Sequence, residues 1–313
     1  MEIKMAVITA KMVAELRAMT GCGMMDCKKA LVSTDGNFEE AVKALREKGL
    51  AKAEAKQSRI AAEGLVDIML SDDKKTAVMI EVNTETDFVA KNEKFQEYVK
   101  GLLRTILACK PANVEEFMGC KFDGTEDTVE VTLKEQTFII GEKLSIRRFV
   151  VKEGIMSTYI HGKGSMGVII NFEADDAAVS NEGFSEYAKN IALQLAANPC
   201  EYVDRTAVPQ EKIDAELEII MTQIKADPKN ASKPQNIIEK MAMGKLGKFY
   251  EEHCLVDQGY VKEDSMTVAQ YTANCEKAFG GKIAIKGFVS FTKGEGLEKR
   301  EENFAEEIAK LVK

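Results

Sequence analysis

Two stretches of this chain, Gly64–Leu107 and Gly154–Leu195, repeat one another, and that repetition limits the fold more than any other feature. In the first, Phe95, Tyr98, Val99, Leu102 and Ile106 step at i, i+3, i+4, i+7 and i+11. Phe184, Tyr187, Ala188, Ile191 and Leu195 take the same steps in the second. Such a stripe is the apolar face of a helix packed on a sheet. Upstream, Ala77-Val78-Met79-Ile80 answers Gly167-Val168-Ile169-Ile170, in runs rich in strand formers. Each copy therefore reads strand, turn, strand, loop, helix. The expected class is α+β, with duplicated core subdomains, each a small antiparallel sheet carrying helices on one face.

The copies diverge in their loops. Thr86-Asp87-Phe88-Val89 lies between a strand and a helix whose N-cap is Asn92. The second copy has Asp176-Ala177-Ala178-Val179, which sets Ala177 and Ala178 against Asp87 and Phe88. A carboxylate beside a phenyl ring on a connecting loop suits insertion into a partner. The other reading makes Phe88 a loop anchor folded back on its own core, and spacing alone leaves both open. Conversely, the first hairpin turn is the plain Ser71–Lys74, whereas the second is the glycine-rich His161–Gly167.

The flanking sequence divides around this core. Residues 1–50 read as three short helices: Thr9–Thr20, Asp26–Ser33, and a third opened by the Asn37/Glu40 capping pattern and ended by Gly49. Met24 and Met25 are adjacent on a turn, where one is expected to be exposed and adaptable to a partner's surface. Residues 51–62 are expected to form a helical tether. The core subdomains are assigned to 63–150 and to 151–208 with 256–292, where Lys282–Phe291 supplies a further strand. Residues 209–255 read as a projecting antiparallel helical hairpin, with Ile213, Leu217, Ile220 and Ile224 on one helix and Ile237, Ile238, Met241, Leu246 and Phe249 on the other. The terminal module, 293–313, holds an amphipathic helix bearing Phe304, Ile308 and Leu311.

Composition excludes several functions. A net charge of −8 disfavours nucleic acid as the main partner. No apolar run approaches the ~18–20 residues that cross a bilayer, and the N-terminus lacks a signal-peptide layout, so a cytoplasmic location is expected. Seven scattered cysteines without a CxxC pair, and only two histidines, offer neither a disulfide framework nor a zinc-ligand spacing. There is no P-loop motif. His161 has no nucleophile at a recognisable spacing, and Arg147-Arg148 reads as one exposed and one sheet-edge arginine. Neither an enzyme nor a cofactor is expected.

Three segments carry a resemblance: ITAKMVAELRAMTGCGMMDCKKAL near the start, EVNTETDFVAKNEKF in the first copy, and GFVSFTKGEGLEK near the end. Together they resemble the bacterial elongation factor Ts family, over essentially the whole chain. The resemblance implies a guanine-nucleotide exchange factor for elongation factor Tu, with an N-terminal module like a ubiquitin-associated domain. It implies that Thr86, Asp87, Phe88 and Val89 enter the partner's GTPase domain and dislodge its magnesium. It further implies that Met24, Met25, His161 and Gly162 face the same partner. The hairpin could hold a homodimer or a two-plus-two complex, cover the partner, or do neither. The alternative is a binding or chaperone-like partner of a translation GTPase that has no exchange activity.

Overall fold

The computed structural model describes residues 7–230 and 233–298. The expected terminal helix with Phe304, Ile308 and Leu311 lies outside the described residues.

Three helices open the chain: α1 (Ala10–Thr20), α2 (Met24–Ser33) and α3 (Phe38–Glu54). Val13, Leu16, Cys27, Leu31, Ala41 and Leu45 form their common core. Gly49 does not end α3. Its missing side chain admits the Phe138 ring, which a Cβ would approach to 3.0 Å. Packing thus overrides the low helix propensity of glycine. The expected helical tether is also corrected: helix persists only to Glu54, and 55–58 is turn. Lys143 Nζ donates to the Gln57 and Arg59 carbonyls at 2.6 and 2.9 Å, which fixes the chain in that bend.

The first copy comprises β1 (Glu63–Leu70), β2 (Thr76–Thr84), α4 (Asp87–Ala90), α5 (Glu93–Cys109), α6 (Val114–Gly119), α7 (Val129–Ile140) and β3 (Leu144–Glu153). The second comprises β4 (Ile155–His161), β5 (Met166–Ala174), α8 (Asp176–Val179) and α9 (Phe184–Ala197). It continues through the hairpin α10 (Gln210–Ala226) and α11 (Gln235–His253), the ribbon β6 (Gly259–Tyr260) and β7 (Glu263–Thr267), α12 (Val268–Phe279) and β8 (Ile283–Thr292). Both three-stranded sheets are antiparallel, in the orders β1-β2-β3 and β4-β5-β8. The central strands β2 and β5 correspond, and each has a register shift after its sixth residue, at Glu81 and Asn171.

The two sheets pack face to face. Strand alternation sends Val78, Ile80 and Val82 towards α5, and Val168, Ile170 and Phe172 towards α9. Ala77 and Met79 point the other way and meet Ile169 and Phe291 between the sheets, with Val66 beside them. Burial on both faces explains why these strands read as continuous apolar runs. Gly167, expected in the turn, lies within β5 at this interface. A Cβ there would come within 2.7 Å of Val66 and 2.8 Å of Met79. The hairpin α10/α11 closes around its own core of Ile220, Ile224, Ile238, Ala242 and Leu246.

Candidate functional site

Between β2 and α5 the chain makes the single helical turn α4, with Thr86 as its N-cap. Thr86 is held from outside the turn. Its N–H donates to Glu142 Oε2 at 3.0 Å and its hydroxyl to Glu142 Oε1 at 2.7 Å. Thr84 Oγ1 donates to the Thr86 carbonyl at 2.7 Å. Val89 packs against the core of the first copy. Phe88 points outward and is 80% exposed. The anchor of this loop is therefore Val89, and the ring is free to meet something else.

Asp87 is half-exposed, with Phe88 beside it. Lys91, one helical turn on, donates to Asp87 Oδ2 at 2.5 Å and stands 5.9 Å from the centre of the Phe88 ring. That hydrogen bond holds the Asp87 carboxyl below the ordinary carboxylate range. The acid is ionised at neutral pH, and so exposed a pair opens readily to a better partner.

The second copy corrects the expected alignment by one residue. Nine positions separate the N-cap Thr86 from Phe95, and nine separate the N-cap Asp175 from Phe184. Asp87 therefore corresponds to Asp176, Phe88 to Ala177 and Val89 to Ala178. Ala178 is fully buried, as its anchoring position requires. The acid is common to both copies, and the phenyl ring is what distinguishes the first. Glu85 is the extra residue that shifts the register. Its carboxylate accepts from the Lys143 backbone N–H at 2.6 Å and pairs with Arg59 at 3.2 Å.

His161 and Gly162 begin the β4–β5 turn and are exposed. The His161 ring lies 3.3 Å from the Tyr159 hydroxyl, and among the described residues no serine or cysteine side chain hydrogen-bonds to it. Gly164, at φ 99°, gives its carbonyl to Val66 N–H at 2.8 Å, so this turn docks on β1. Lys293 N–H donates to Ser165 O at 2.9 Å while its ammonium pairs with Glu63, which lies opposite Thr84 in the sheet. The structure thus brings the His161 turn and the Asp87 turn to one rim. Met24 and Met25 lie in the first turn of α2. Both are exposed, where only one was expected to be.

The region 85–295 matches the family model described as Elongation factor TS. The chain is 47% identical over 313 residues to the elongation factor Ts of Clostridioides difficile, covering 99% of this chain and 100% of that one. Against the Clostridium tetani protein it is 45% identical, covering 97% of this chain and 99% of the relative. The chain belongs to the elongation factor Ts family.

The family match takes in Thr86–Val89 and His161–Gly162, while the near full-length elongation factor Ts relatives also span Met24 and Met25. Two features of this family member escaped sequence reasoning. One is the brace of Glu142 and Lys143 on Thr86 and Glu85. The other is buried Glu81, which binds both Arg147 at 3.0 Å and Arg148 at 2.7 Å. The expected exposed and sheet-edge arginines are instead a matched pair on one carboxylate. Only the unbroken apolar run around Glu81 hinted at a buried acid. Among the described residues no cluster of His, Cys, Asp and Glu is suited to a metal, and no helix is long and apolar enough to cross a membrane.

Proposed function

We propose that this chain is a guanine-nucleotide exchange factor for elongation factor Tu, working in the cytoplasm, and that the Asp87 turn is its exchange element. Membership in the elongation factor Ts family implies the exchange role in translation elongation. The observation that carries the finer reading is the Phe88 ring, 80% exposed on a turn held by three hydrogen bonds, two to Glu142 and one from Thr84. A rigid exposed ring is suited to wedging between packed elements of a partner, and an ionised acid beside it suits a site built around a cation.

No bond need form or break in this chain. The exchange factor must bind the nucleotide-free GTPase better than the GDP-bound one, because equal affinity for both shifts nothing. By reciprocity, bound GDP or GTP weakens the hold of the factor. Met24 and Met25 on one module, and His161 with Gly162 on the shared rim, are assigned to docking the same partner.

Release of fluorescent GDP from elongation factor Tu, followed with and without the chain, tests this reading. Association without faster release would instead support the binding or chaperone-like alternative. The helical hairpin is proposed to hold a second copy, since Ile219 and Met243 are half or more exposed on its two helices. A monomeric mass by sedimentation at about ten micromolar, a concentration at which a stable interface is filled, would exclude that role.

A further inference from the structure

We infer that Glu142 is a positioning residue for Phe88, acting by clamping the N-cap of the turn that carries the ring; this rests on the exchange reading above. An N-cap threonine ordinarily accepts a hydrogen bond from the first turn of its own helix. Thr86 makes no such side-chain bond. Its hydroxyl and its backbone N–H both go to the Glu142 carboxylate, at 2.7 and 3.0 Å, across 56 positions of sequence. The turn has exchanged a local cap for a distant one.

The residues around the clamp make it stiff. The next backbone N–H, that of Lys143, donates to Glu85 at 2.6 Å, so two adjacent residues on each segment are paired. Glu142 comes immediately after Gly141, the C-cap of α7, and that helix is itself fixed against the N-terminal bundle. Arg46 of α3 pairs with Asp127 at 2.5 Å and with Glu135 at 2.6 Å, and Phe138 and Ile139 pack on the bundle core. A site held by a second layer on rigid elements keeps its geometry, and a displacement of about 1 Å costs up to about a hundredfold in rate.

The second copy shows what is particular here. There Asp175, the N-cap, accepts from the Lys282 backbone N–H at 2.7 Å, and its own N–H donates to Lys282 O at 3.0 Å. Both copies tie this turn to the residues before the third strand. Only the first does so through a side chain from the far segment, and only the first carries an aromatic ring to be aimed.

The test combines a motional and a kinetic readout on the full chain. The sequence has no tryptophan, so Phe88→Trp introduces a single indole at the tip of the turn. On that background Glu142→Ala is expected to raise the fast local amplitude of the anisotropy decay about twofold. In the otherwise native chain, Glu142→Ala should lower the maximal stimulated rate of GDP release about tenfold. The half-saturating concentration should change less than about threefold. Glu142→Gln, which keeps one acceptor oxygen, should recover most of the rate. On a Phe88→Ala background, Glu142→Ala should slow release no further. Circular dichroism and thermal unfolding establish that each variant is folded. A folded Glu142→Ala variant with unchanged anisotropy or unchanged maximal rate overturns the inference, as does additive slowing in the double variant. If Phe88→Ala alone leaves release untouched, the exchange reading falls, and the anisotropy measurement still decides whether Glu142 orders the turn.

Discussion

The Gly294 backbone N–H donates to the buried Glu81 carboxylate at 2.8 Å, joining residues 213 positions apart and stitching the end of β8 to the middle of β2. Arg148 extends the stitch, stacking 4.2 Å from the Phe291 ring and donating to Thr292 O at 3.2 Å. The two halves of the core are thus held by an ionic clasp as well as by apolar packing.

Removing that carboxylate strands Arg147 and Arg148 beside a buried site. Glu81→Ala should therefore destabilise the fold by about 3–5 kcal/mol, measured as a lowered urea midpoint. A loss below about 1 kcal/mol would mean that the two arginines find other partners.

Burial alone would raise the Glu81 pKa. The bonds from Gly294, Asn83, Arg147 and Arg148 outweigh it and leave the carboxyl below its ordinary value of 4.5. The sign follows: stability from this group is complete above 4.5 and is lost as pH falls through the lower folded value. Asp26, Glu201 and Glu276 are depressed as well, so the diagnostic is a difference. Glu81→Gln should be less stable at neutral pH but show a shallower loss of urea resistance below 4.5 than the parent.

Phe88 and Val89 are neighbours in opposite settings, one exposed and the other packed on the core. Phe88→Ala should leave stability within about 0.5 kcal/mol while slowing stimulated GDP release about tenfold. Asp87→Ala should behave likewise. Val89→Ala should cost about 1 kcal/mol of stability, because its side chain packs on the core. Thermal unfolding alongside the release assay separates the two; normal release by Phe88→Ala would remove the ring from the mechanism.

Met24 and Met25 are exposed at 53% and 62%. Replacing both with alanine should leave unfolding unchanged. It should raise the concentration of chain needed for half-maximal GDP release, without lowering the maximum. A lowered maximum would place them in the exchange step itself.

Gly167 fills the space between the sheets with nothing. Gly167→Val should destabilise the fold by about 1–3 kcal/mol, because a Cβ already meets Val66 and Met79 inside contact distance. A neutral effect in chemical denaturation would show that the sheets can part at that point.

What the sequence disclosed was what local spacing encodes. The stripes from Phe95 to Ile106 and from Phe184 to Leu195 are buried, because a period of 3.6 residues depends only on near neighbours. Phe88 stood out as an aromatic with no place in either stripe, but spacing left its direction open, and only the structure turns the ring outward. Hidden were relations between distant segments: Glu142 with Thr86, Glu81 with Gly294, and Phe138 under Gly49. The one-residue error in aligning Asp87 came from Glu85, whose insertion leaves no mark on the periodicity of either flank. In structure it shows at once, since the two N-caps superpose by their distance to the helix stripe.

The face-to-face sheets run in opposed senses, so the end of β2 lies against the start of β5. A duplicated fold carries two versions of every turn, and this stacking sets unlike versions side by side. Phe88 emerges just after β2 ends and His161 just before β5 begins, yet both reach a single rim. Neither half alone owns that rim. One copy carries the ring-bearing turn and the other the glycine-rich turn, and the two come together only where the halves close on each other.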